Sequence, residues 1–366
     1  MVLTIETLFN DANVISAIIR RVTQTRKDAI YWMQYLDFRR TTTRVFKDYI
    51  GSVTGVMAGS INSRYGEKPI RERRNIGSGY GEIAYLGDRY QISIDRLSDL
   101  QDLIDKYNVA KPANQSSALN EIINFIYDDF RQVMLAAHKR MDLVVGSLLM
   151  TGKAVVKNKD KRDDASAPDL LEIELPFKFI TPTAEVKTKF ITYLQEQVNS
   201  LKADYGTFSK MVMTRGTFIK NIVGSSEFGD HYKQVLGSNQ MYLSTGLLNS
   251  ALASEVFTGI GLPAIEIKED YVKDQTGKNQ AVYADGRITL LPQDKIGYMR
   301  FHTPYEATDP VPGRTYTQAD GNMLISQVRD NNGRYLEYTA EWIPQISNPT
   351  EIVNFDLSAI NAIQEG

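Results

Sequence analysis

The stretch that decides the fold is SSALNEIINFIYDDFRQVMLAAHKRMDLVVGSLLMTGKAVV, residues 116–156. Ser116 and Ser117 are candidate N-caps, and Gly152 suits a left-handed C-cap. We expect one helix over about residues 116–150, on the order of 50 Å long at about 1.5 Å per residue, and then a strand at 154–156. The prediction depends on apolar residues that recur every three or four positions without a break: Leu119, Ile122, Ile126, Phe130, Val133, Ala137, Met141, Val144 and Leu148.

A glycine-rich basic segment precedes this helix. Residues 51–87 hold eight glycines and few large aliphatic side chains, so the segment cannot build a core of its own. Loops longer than about 15 residues are uncommon inside compact domains. Because Tyr85, Tyr90 and Ile92 fall in strand-like runs, we expect an extended β-hairpin loop over residues 51–95. Its cations are Arg64, Lys68, Arg71, Arg73 and Arg74.

Residues 1–50 are expected to form an N-terminal arm. Apolar residues at helical spacing, with Asp11 as N-cap, predict a short amphipathic helix within residues 1–25. Residues 26–49 mix charges with aromatic side chains, among them Tyr31 and Trp32. Such side chains need a surface to cover, so Tyr31 and Trp32 are candidate contacts with a neighbouring subunit.

The chain after residue 165 mixes helices and strands. Patterns predict helices near 184–204 and 246–257 and strands at 210–213, 264–267 and 287–291. Two further strands, 323–328 and 335–342, flank a turn at 330–333. This mixture predicts an α+β lobe with a β-rich end.

Composition excludes several classes of function. With 366 residues the chain exceeds the size at which single cores stop growing, about 250–300 residues, so at least two lobes are expected. Lys plus Arg total 42 against 44 for Asp plus Glu, which gives no overall field for gathering nucleic acid. The absence of cysteine removes disulfides and thiolate sites and fits a reducing cytoplasm. The longest apolar run, 143–150, is far below the ~20 residues of a membrane span, so no membrane partner is expected.

No motif for catalysis or for cofactor or metal binding emerges. His138, His231 and His302 lie far apart without a second ligand at metal-site spacing, and His138 is interpreted as a helix-flank or interface residue. The stretch 146–153 resembles a phosphate loop but has the wrong glycine spacing. Gly77, Gly79 and Gly81 have no helix behind them to bind a pyrophosphate. We therefore expect no catalytic, cofactor or metal residues, and no enzyme activity.

The arginines of the loop have two interpretations. Arg71, Arg73 and Arg74 could bind phosphate, or they could pair with carboxylates on a neighbouring subunit. The nearly neutral net charge favours the protein partner.

The order of these parts resembles the lambda-like major capsid proteins of tailed bacteriophages, which have the Hong Kong ninety-seven fold. YQISIDRLSDL (residues 90–100) is similar to the return strand of the family's loop and its short helix. HKRMDLVVGSLLMTGKAVV (138–156) resembles the end of its long helix and the next strand. DYVKDQTGKNQAVYADGRITLLPQDKIGYMRFHTP (270–304) resembles its late strand block.

The resemblance implies an α+β fold with five parts: an N-terminal arm (1–50), an extended loop (51–95), a peripheral domain (96–165) with a spine helix at about 116–150, an axial domain (166–320), and C-terminal strands (321–366) that return mainly to the peripheral domain. It implies a virion protein that assembles in the bacterial cytoplasm as hexamers and pentamers of an icosahedral shell around double-stranded DNA.

The implied partners are other copies of the chain, a separate scaffolding protein, the portal, decoration proteins and weakly contacted DNA. A separate scaffold is implied because the arm begins almost at once. Some family members link a loop lysine covalently to a neighbour's asparagine, but nothing marks a supporting acid here, so Lys68 is interpreted as a surface lysine. Two alternatives stay open: an encapsulin-like nanocompartment shell, and a hydrolase whose site forms only in three dimensions.

Overall fold

The computed structural model of the chain describes residues 2–25, 30–50, 77–156, 171–225, 227–231, 250–273, 277–312, 314–330 and 333–361. The helices are α1 Ile5–Asn10, α2 Ala12–Thr25, α3 Ile94–Val109, α4 Pro112–Thr151, α5 Phe190–Tyr205, α6 Arg215–Thr217, which runs into a π-helical turn at Phe218–Val223, α7 Ser250–Gly259 and α8 Ser358–Asn361. Short 3-10 turns occur at Trp32–Gln34, Ala184–Lys189, Tyr305–Ala307, Asp320–Asn322 and Pro349–Glu351.

The strands follow the same chain order. They are β1 Leu36–Arg40, β2 Val45–Ile50, β3 Gly77–Glu82, β4 Ala84–Ile92, β5 Lys153–Val156, β6 Leu171–Glu174, β7 Lys178–Ile180, β8 Lys210–Met213, β9 Ala264–Ile267, β10 Tyr271–Lys273, β11 Asn279–Ala281, β12 Arg287–Leu291, β13 Gly297–His302, β14 Tyr316–Gln318, β15 Leu324–Asp330, β16 Gly333–Ile346 and β17 Val353–Asp356.

The long helix expected from the sequence is the single element α4, which begins slightly earlier than the caps indicate. Pro112 occupies its first position, where the missing N–H costs no helical hydrogen bond. Gly152 ends it with a φ of 67°, and the Gly152 N–H donates to the Leu148 carbonyl at 2.8 Å. The apolar stripe is buried from Ile122 to Leu148, and Leu119 at its start is half-buried.

The chain divides into two compact units at positions that differ from the sequence-based domain boundaries. Residues 298–320 group with the first unit because β13 pairs within the sheet of that unit. The residues after Gln345 group with the second unit because β17 pairs within the sheet of the second unit. The helix α4 passes from the first unit to the second after Asp142. The first unit is Met1–Phe46, Gly81–Asp142 and Tyr298–Gln345; the second is Lys47–Tyr80, Leu143–Gly297 and Ile346–Gly366.

The first unit is built on a six-stranded sheet with the order β1-β13-β16-β15-β14, and β4 also pairs with β16. The long strand β16 has an antiparallel partner on each side, so that Leu336 lies opposite Tyr90 of β4 and Gln327 of β15. The helix α3 begins directly after β4, where the Ser93 side chain accepts a hydrogen bond from the Arg96 N–H.

The second unit contains a five-stranded sheet with the order β7-β17-β12-β8-β9. Two of its pairs, β7 with β17 and β8 with β9, are parallel. The buried face of α5 packs in the core of this unit. Its N-terminus is capped from a distance by Glu227, whose carboxylate accepts the N–H groups of Ile191 at 2.9 Å and Thr192 at 3.2 Å.

A buried polar network joins the end of α4 to this sheet. The Leu149 carbonyl accepts hydrogen bonds from Thr289 Oγ1 at 2.9 Å and from Asn354 Nδ2 at 2.8 Å. The Tyr283 hydroxyl lies 2.6 Å from Thr289 Oγ1, and burial raises the pKa of Tyr283. These side chains are buried, so each hydrogen bond replaces one that water would have made.

Candidate inter-subunit contact surface

The cationic contact candidates fall between β2 and β3. The strands β2 and β3 pair with each other, so the chain enters and leaves the intervening segment side by side. The candidates themselves lie outside the described residues: Arg64, Lys68, Arg71, Arg73 and Arg74.

A cluster of three polar side chains, Arg44, Glu341 and His302, lies where β2 begins. The Ile83 N–H donates to the Arg44 carbonyl at 3.0 Å, which closes the base of the β2–β3 pair. The Arg44 guanidinium donates to both oxygens of Glu341 on β16, at 2.6 and 3.1 Å. His302 Nδ1 lies 2.8 Å from Glu341 Oε2. The Glu341 side chain is only 3% exposed, and a carboxylate at that depth requires such partners.

The structure corrects the interpretation of Tyr31 and Trp32 as contacts with a neighbouring subunit. Both are 0% exposed within their own subunit. The Trp32 N–H donates to Asp142 Oδ1 at 2.9 Å, and the Trp32 ring contacts Trp342 at 6.3 Å between centroids. Large aromatic side chains gain more from a dry core than from a solvated arm, and here the core of the first unit supplies that environment.

His138 is buried as well and does not lie on a helix flank. Its ring stacks on Trp32 at 5.7 Å and lies 4.8 Å from the Trp342 ring. His138 is 0% exposed. The sequence pattern placed it one position off the apolar stripe, but the aromatic cluster extends the buried face of α4 to include it.

The N-terminal helices also pack within the first unit. The Asn108 side chain on α3 exchanges two hydrogen bonds with the backbone of Leu3, at 2.8 and 2.9 Å. Asn10 Oδ1 accepts a hydrogen bond from Gln327 on β15 at 2.6 Å. Six apolar side chains of these helices are at most 6% exposed. They are Leu8, Phe9, Ile15, Ile18, Ile19 and Val22.

Within the described ranges, no group of three or more histidine and acidic side chains is placed to hold a metal ion. None of the helices that the structure describes combines the length and the apolar character needed to cross a lipid bilayer. The buried Asp142 accepts a hydrogen bond from Lys139 Nζ at 3.0 Å, and the buried Lys268 contacts the half-buried Glu266, which also contacts Lys210. These ionic groups are positioned to stabilise the fold.

Sequence reasoning missed Glu341 and Asp142. Each could have been found as a carboxylate inside an otherwise apolar pattern, since Ala340 and Trp342 flank Glu341, and Asp142 follows Met141 in the stripe of α4. A carboxylate in such a place needs a specific partner. The pattern does not reveal which cation or backbone group that partner is.

The fold is similar over nearly its whole length to a solved structure. The "putative capsid protein of prophage" of E. coli CFT073 matches with a TM-score of 0.58 and 12% sequence identity, over 95% of this chain and 99% of that chain. The chain has the fold of a phage capsid protein. The α+β capsid-type fold expected from the sequence is thereby confirmed.

Two further structures resemble this capsid-type chain less strongly. A phage-related protein from Bordetella bronchiseptica RB50 has a TM-score of 0.49 and 8% identity, over 95% of this chain and 98% of that one. The satellite phage P4 procapsid has a TM-score of 0.45 and 12% identity, over 97% and 98%. The assignment of the fold rests on the prophage protein. No family model and no curated protein matches the sequence.

Proposed function

We propose that this chain is the major capsid protein of a tailed bacteriophage and that it has no catalytic role. The observation that carries the proposal is the similarity to the prophage protein, which spans 95% of this chain and 99% of the other. This match supports the proposal because it covers nearly the whole of both chains and not one domain of them.

The proposed activity is self-assembly into hexamers and pentamers that close an icosahedral shell around double-stranded DNA. The charge balance supports this, because the net charge of -2 lets DNA be packed without tight binding to the wall. The cationic segment between β2 and β3 supports it too, because five cations stand against Glu67 and Glu72 there. Such a segment is well suited to ion pairs with a neighbouring copy.

Further partners belong to the same proposal. We expect a separate scaffolding protein during assembly, the portal at one vertex, decoration proteins on the outside and weak, non-specific contact with packaged DNA. Assembly takes place in the bacterial cytoplasm, and the finished subunit lies in the virion capsid. No membrane takes part.

Electron microscopy of the expressed chain tests the proposal. We expect closed shells or sheets of hexamers when the chain is produced with its scaffold, or at raised concentration alone. A monodisperse small species under all these conditions contradicts it. Shells that hold a protein cargo in place of DNA would instead identify a nanocompartment. Ultraviolet absorbance and gel electrophoresis of purified particles therefore measure whether they contain DNA or protein.

A further inference from the structure

Two side chains can supply the positive charge that the Glu341 carboxylate needs, and they differ in kind. The Arg44 guanidinium donates from Nη2 to Oε1 at 2.6 Å and from Nε to Oε2 at 3.1 Å. His302 Nδ1 lies 2.8 Å from the same Oε2 atom. Because a carboxylate only accepts hydrogen bonds, Nδ1 of His302 carries a hydrogen in this contact. Arginine keeps its charge at all ordinary pH values, whereas an imidazole changes its charge within about pH 5–8.

The depth of Glu341 means that it must keep one of these cations. Its side chain is 3% exposed, against 23% for His302 and 52% for Arg44. Leaving a buried carboxylate without any cation is strongly unfavourable. Arg44 is the partner that can leave, because its side chain is half in solvent and it lies at the entry to β2. His302 belongs to β13, which is paired within the six-stranded sheet.

We propose that Arg44, Glu341 and His302 form a proton-dependent latch at the base of the β2–β3 pair, in which a protonated His302 replaces Arg44 on Glu341. When His302 is neutral, Glu341 depends on Arg44 and holds the entry to β2 against β16. When His302 is protonated, Glu341 is neutralised from β13 and binds Arg44 less tightly. The latch belongs to the single subunit, so it is independent of the proposed function.

The sign of the pH dependence follows from reciprocity between the two cations. The departure of Arg44 increases the affinity of His302 for a proton, because Glu341 then has no other cation. Protonation of His302 must therefore weaken the hold on Arg44 by the same factor. The open state, with Arg44 released, binds more protons than the closed state. Lowering the pH from about 8 to about 5.5 consequently favours the open state.

The other charged groups around the latch do not reverse this sign. Tyr85 on β4 lies opposite Glu341, and its hydroxyl is 3.4 Å from Glu306 Oε1. Partial burial and the charges of Glu306 and Glu341 raise the pKa of Tyr85, so its hydroxyl stays neutral over this pH range. A negative charge on Glu306 attracts a proton to His302 whether Arg44 is bound or released. Two arginines on this side of the sheet keep their charge in both states: Arg300 on β13, which donates to Gln345, and Arg39 on β1, which lies over the Tyr298 ring.

Hydrogen exchange of the unassembled subunit tests the latch at one reporter, the Ile83 N–H, which donates to the Arg44 carbonyl at 3.0 Å. Its protection factor, corrected for the intrinsic effect of pH on exchange, should fall at least about fivefold from pH 8 to pH 5.5, the lower end of usual coupling between sites. The amides of β12, in the second unit, are the reference for global stability. His302→Gln, which stays neutral and keeps a donor for Glu341, should abolish the fall. His231→Gln, a histidine variant in the second unit, should retain it.

The reciprocal effect is measured on His302 itself by nuclear magnetic resonance of histidine labelled with carbon-13. The chain has three histidines, and the His302 signal is the one lost in His302→Gln. In Arg44→Ala the titration midpoint of this signal should lie at least about 0.7 pH unit higher than in the parent, which is the same fivefold coupling. Arg215→Ala, which removes an exposed arginine in the second unit, is the matched control and should leave the midpoint unchanged.

Each outcome decides for or against the latch. Protection of the Ile83 amide that stays constant between the two pH values overturns it. A fall that persists in His302→Gln also overturns it, because another group then takes up the proton. An unchanged His302 midpoint in Arg44→Ala shows that the two cations are not coupled. If Arg44→Ala lowers the yield of folded subunit, Arg44→Gln replaces it, since it keeps a hydrogen-bond donor without the charge. None of these results bears on shell formation, which electron microscopy tests separately.

Discussion

Gly146 lies where α4 comes close to the loop before β12. A Cβ at this position would lie 2.1 Å from the Val282 carbonyl oxygen and 2.7 Å from Val282 Cγ1. In most helices alanine stabilises the helix by about 1 kcal/mol relative to glycine. Here the added methyl group would force the backbone of α4 and the loop apart. Gly146 thus determines how closely α4 packs against the loop that holds Val282.

We expect Gly146→Ala to lower the free energy of unfolding by about 1–3 kcal/mol, the usual cost of overpacking. Urea unfolding of the unassembled subunit measures it. Asn120→Ala, at an exposed position of the same helix, should stay within about 0.5 kcal/mol of the parent. A Gly146→Ala chain as stable as the parent would show that the loop yields without cost.

Glu266 on β9 gives the fold a pH dependence. Burial acts to raise the pKa of Glu266, but hydrogen bonds and charge from Lys210, at 2.7 Å, and from Lys268 outweigh it and lower the pKa. A carboxylate whose pKa is depressed by folding stabilises the fold above its unfolded pKa, about 4.3. This contribution is lost as the pH falls through the folded pKa.

Glu266→Gln should therefore lower the free energy of unfolding by about 1.5–3 kcal/mol at pH 7, the range for hydrogen bonds to charged groups. The gap between parent and variant should narrow as the pH is lowered from about 5 to about 3, since the parent loses the charge as well. Urea unfolding at a series of pH values measures the gap. Glu185→Gln, at an exposed position, is the control. A gap that is constant over this range would contradict the assignment.

At the scale of elements, α1 and α2 contribute to the core of the first unit. Removing residues 2–25 would take away six side chains that are at most 6% exposed, each worth about 1.5–3 kcal/mol on burial. From the sequence alone these residues were expected to belong to an N-terminal arm. We expect the truncated chain to lose its cooperative thermal transition, as followed by circular dichroism of the unassembled subunit.

The matched control for this truncation is Ala17→Glu, which keeps both helices and changes only an exposed position of α2. It should melt like the parent. If the truncated chain instead melts like the parent and fails only in assembly, α1 and α2 act as an arm after all.

The elements differ in how far their sequences determine them. The helix α4 was predictable because nine apolar positions keep one period and a glycine follows the last. The burial of α2 was predictable, but not what would bury it, because an amphipathic helix has the same pattern whether its own chain or another copy covers it. The same ambiguity explains why Tyr31 and Trp32 were interpreted as contacts with another copy, since the sequence does not show which surface covers an aromatic side chain. The domain boundaries shifted because β13 and β17 pair with strands distant in sequence.

At the scale of the whole molecule, the proposed assembly places function on surfaces and not on a cleft. Replacing Arg71, Arg73 and Arg74 by alanine should leave a folded, unassembled subunit with normal circular dichroism that no longer closes shells, because the segment loses the cations it offers a neighbour. Sedimentation and electron micrographs measure the outcome.

The control for this variant removes the same charge elsewhere, through Lys189, Lys202 and Lys220 to alanine, all exposed in the second unit. Normal particles from the arginine variant would contradict the role of the segment. The sequence could indicate that these arginines need an anionic partner, but not which group supplies it, because that depends on contacts between residues distant in sequence.

The network around the Leu149 carbonyl has a consequence for the timescale on which α4 opens. Helix ends usually fray, and their amide protons exchange with solvent almost freely. Here side chains from β12 and β17 hold the last turn through the Leu149 carbonyl, so we expect it to open only when those strands separate. Its amide protons should therefore exchange as slowly as those of the sheet, and deuterium uptake there would report on the opening of the sheet rather than on the helix terminus.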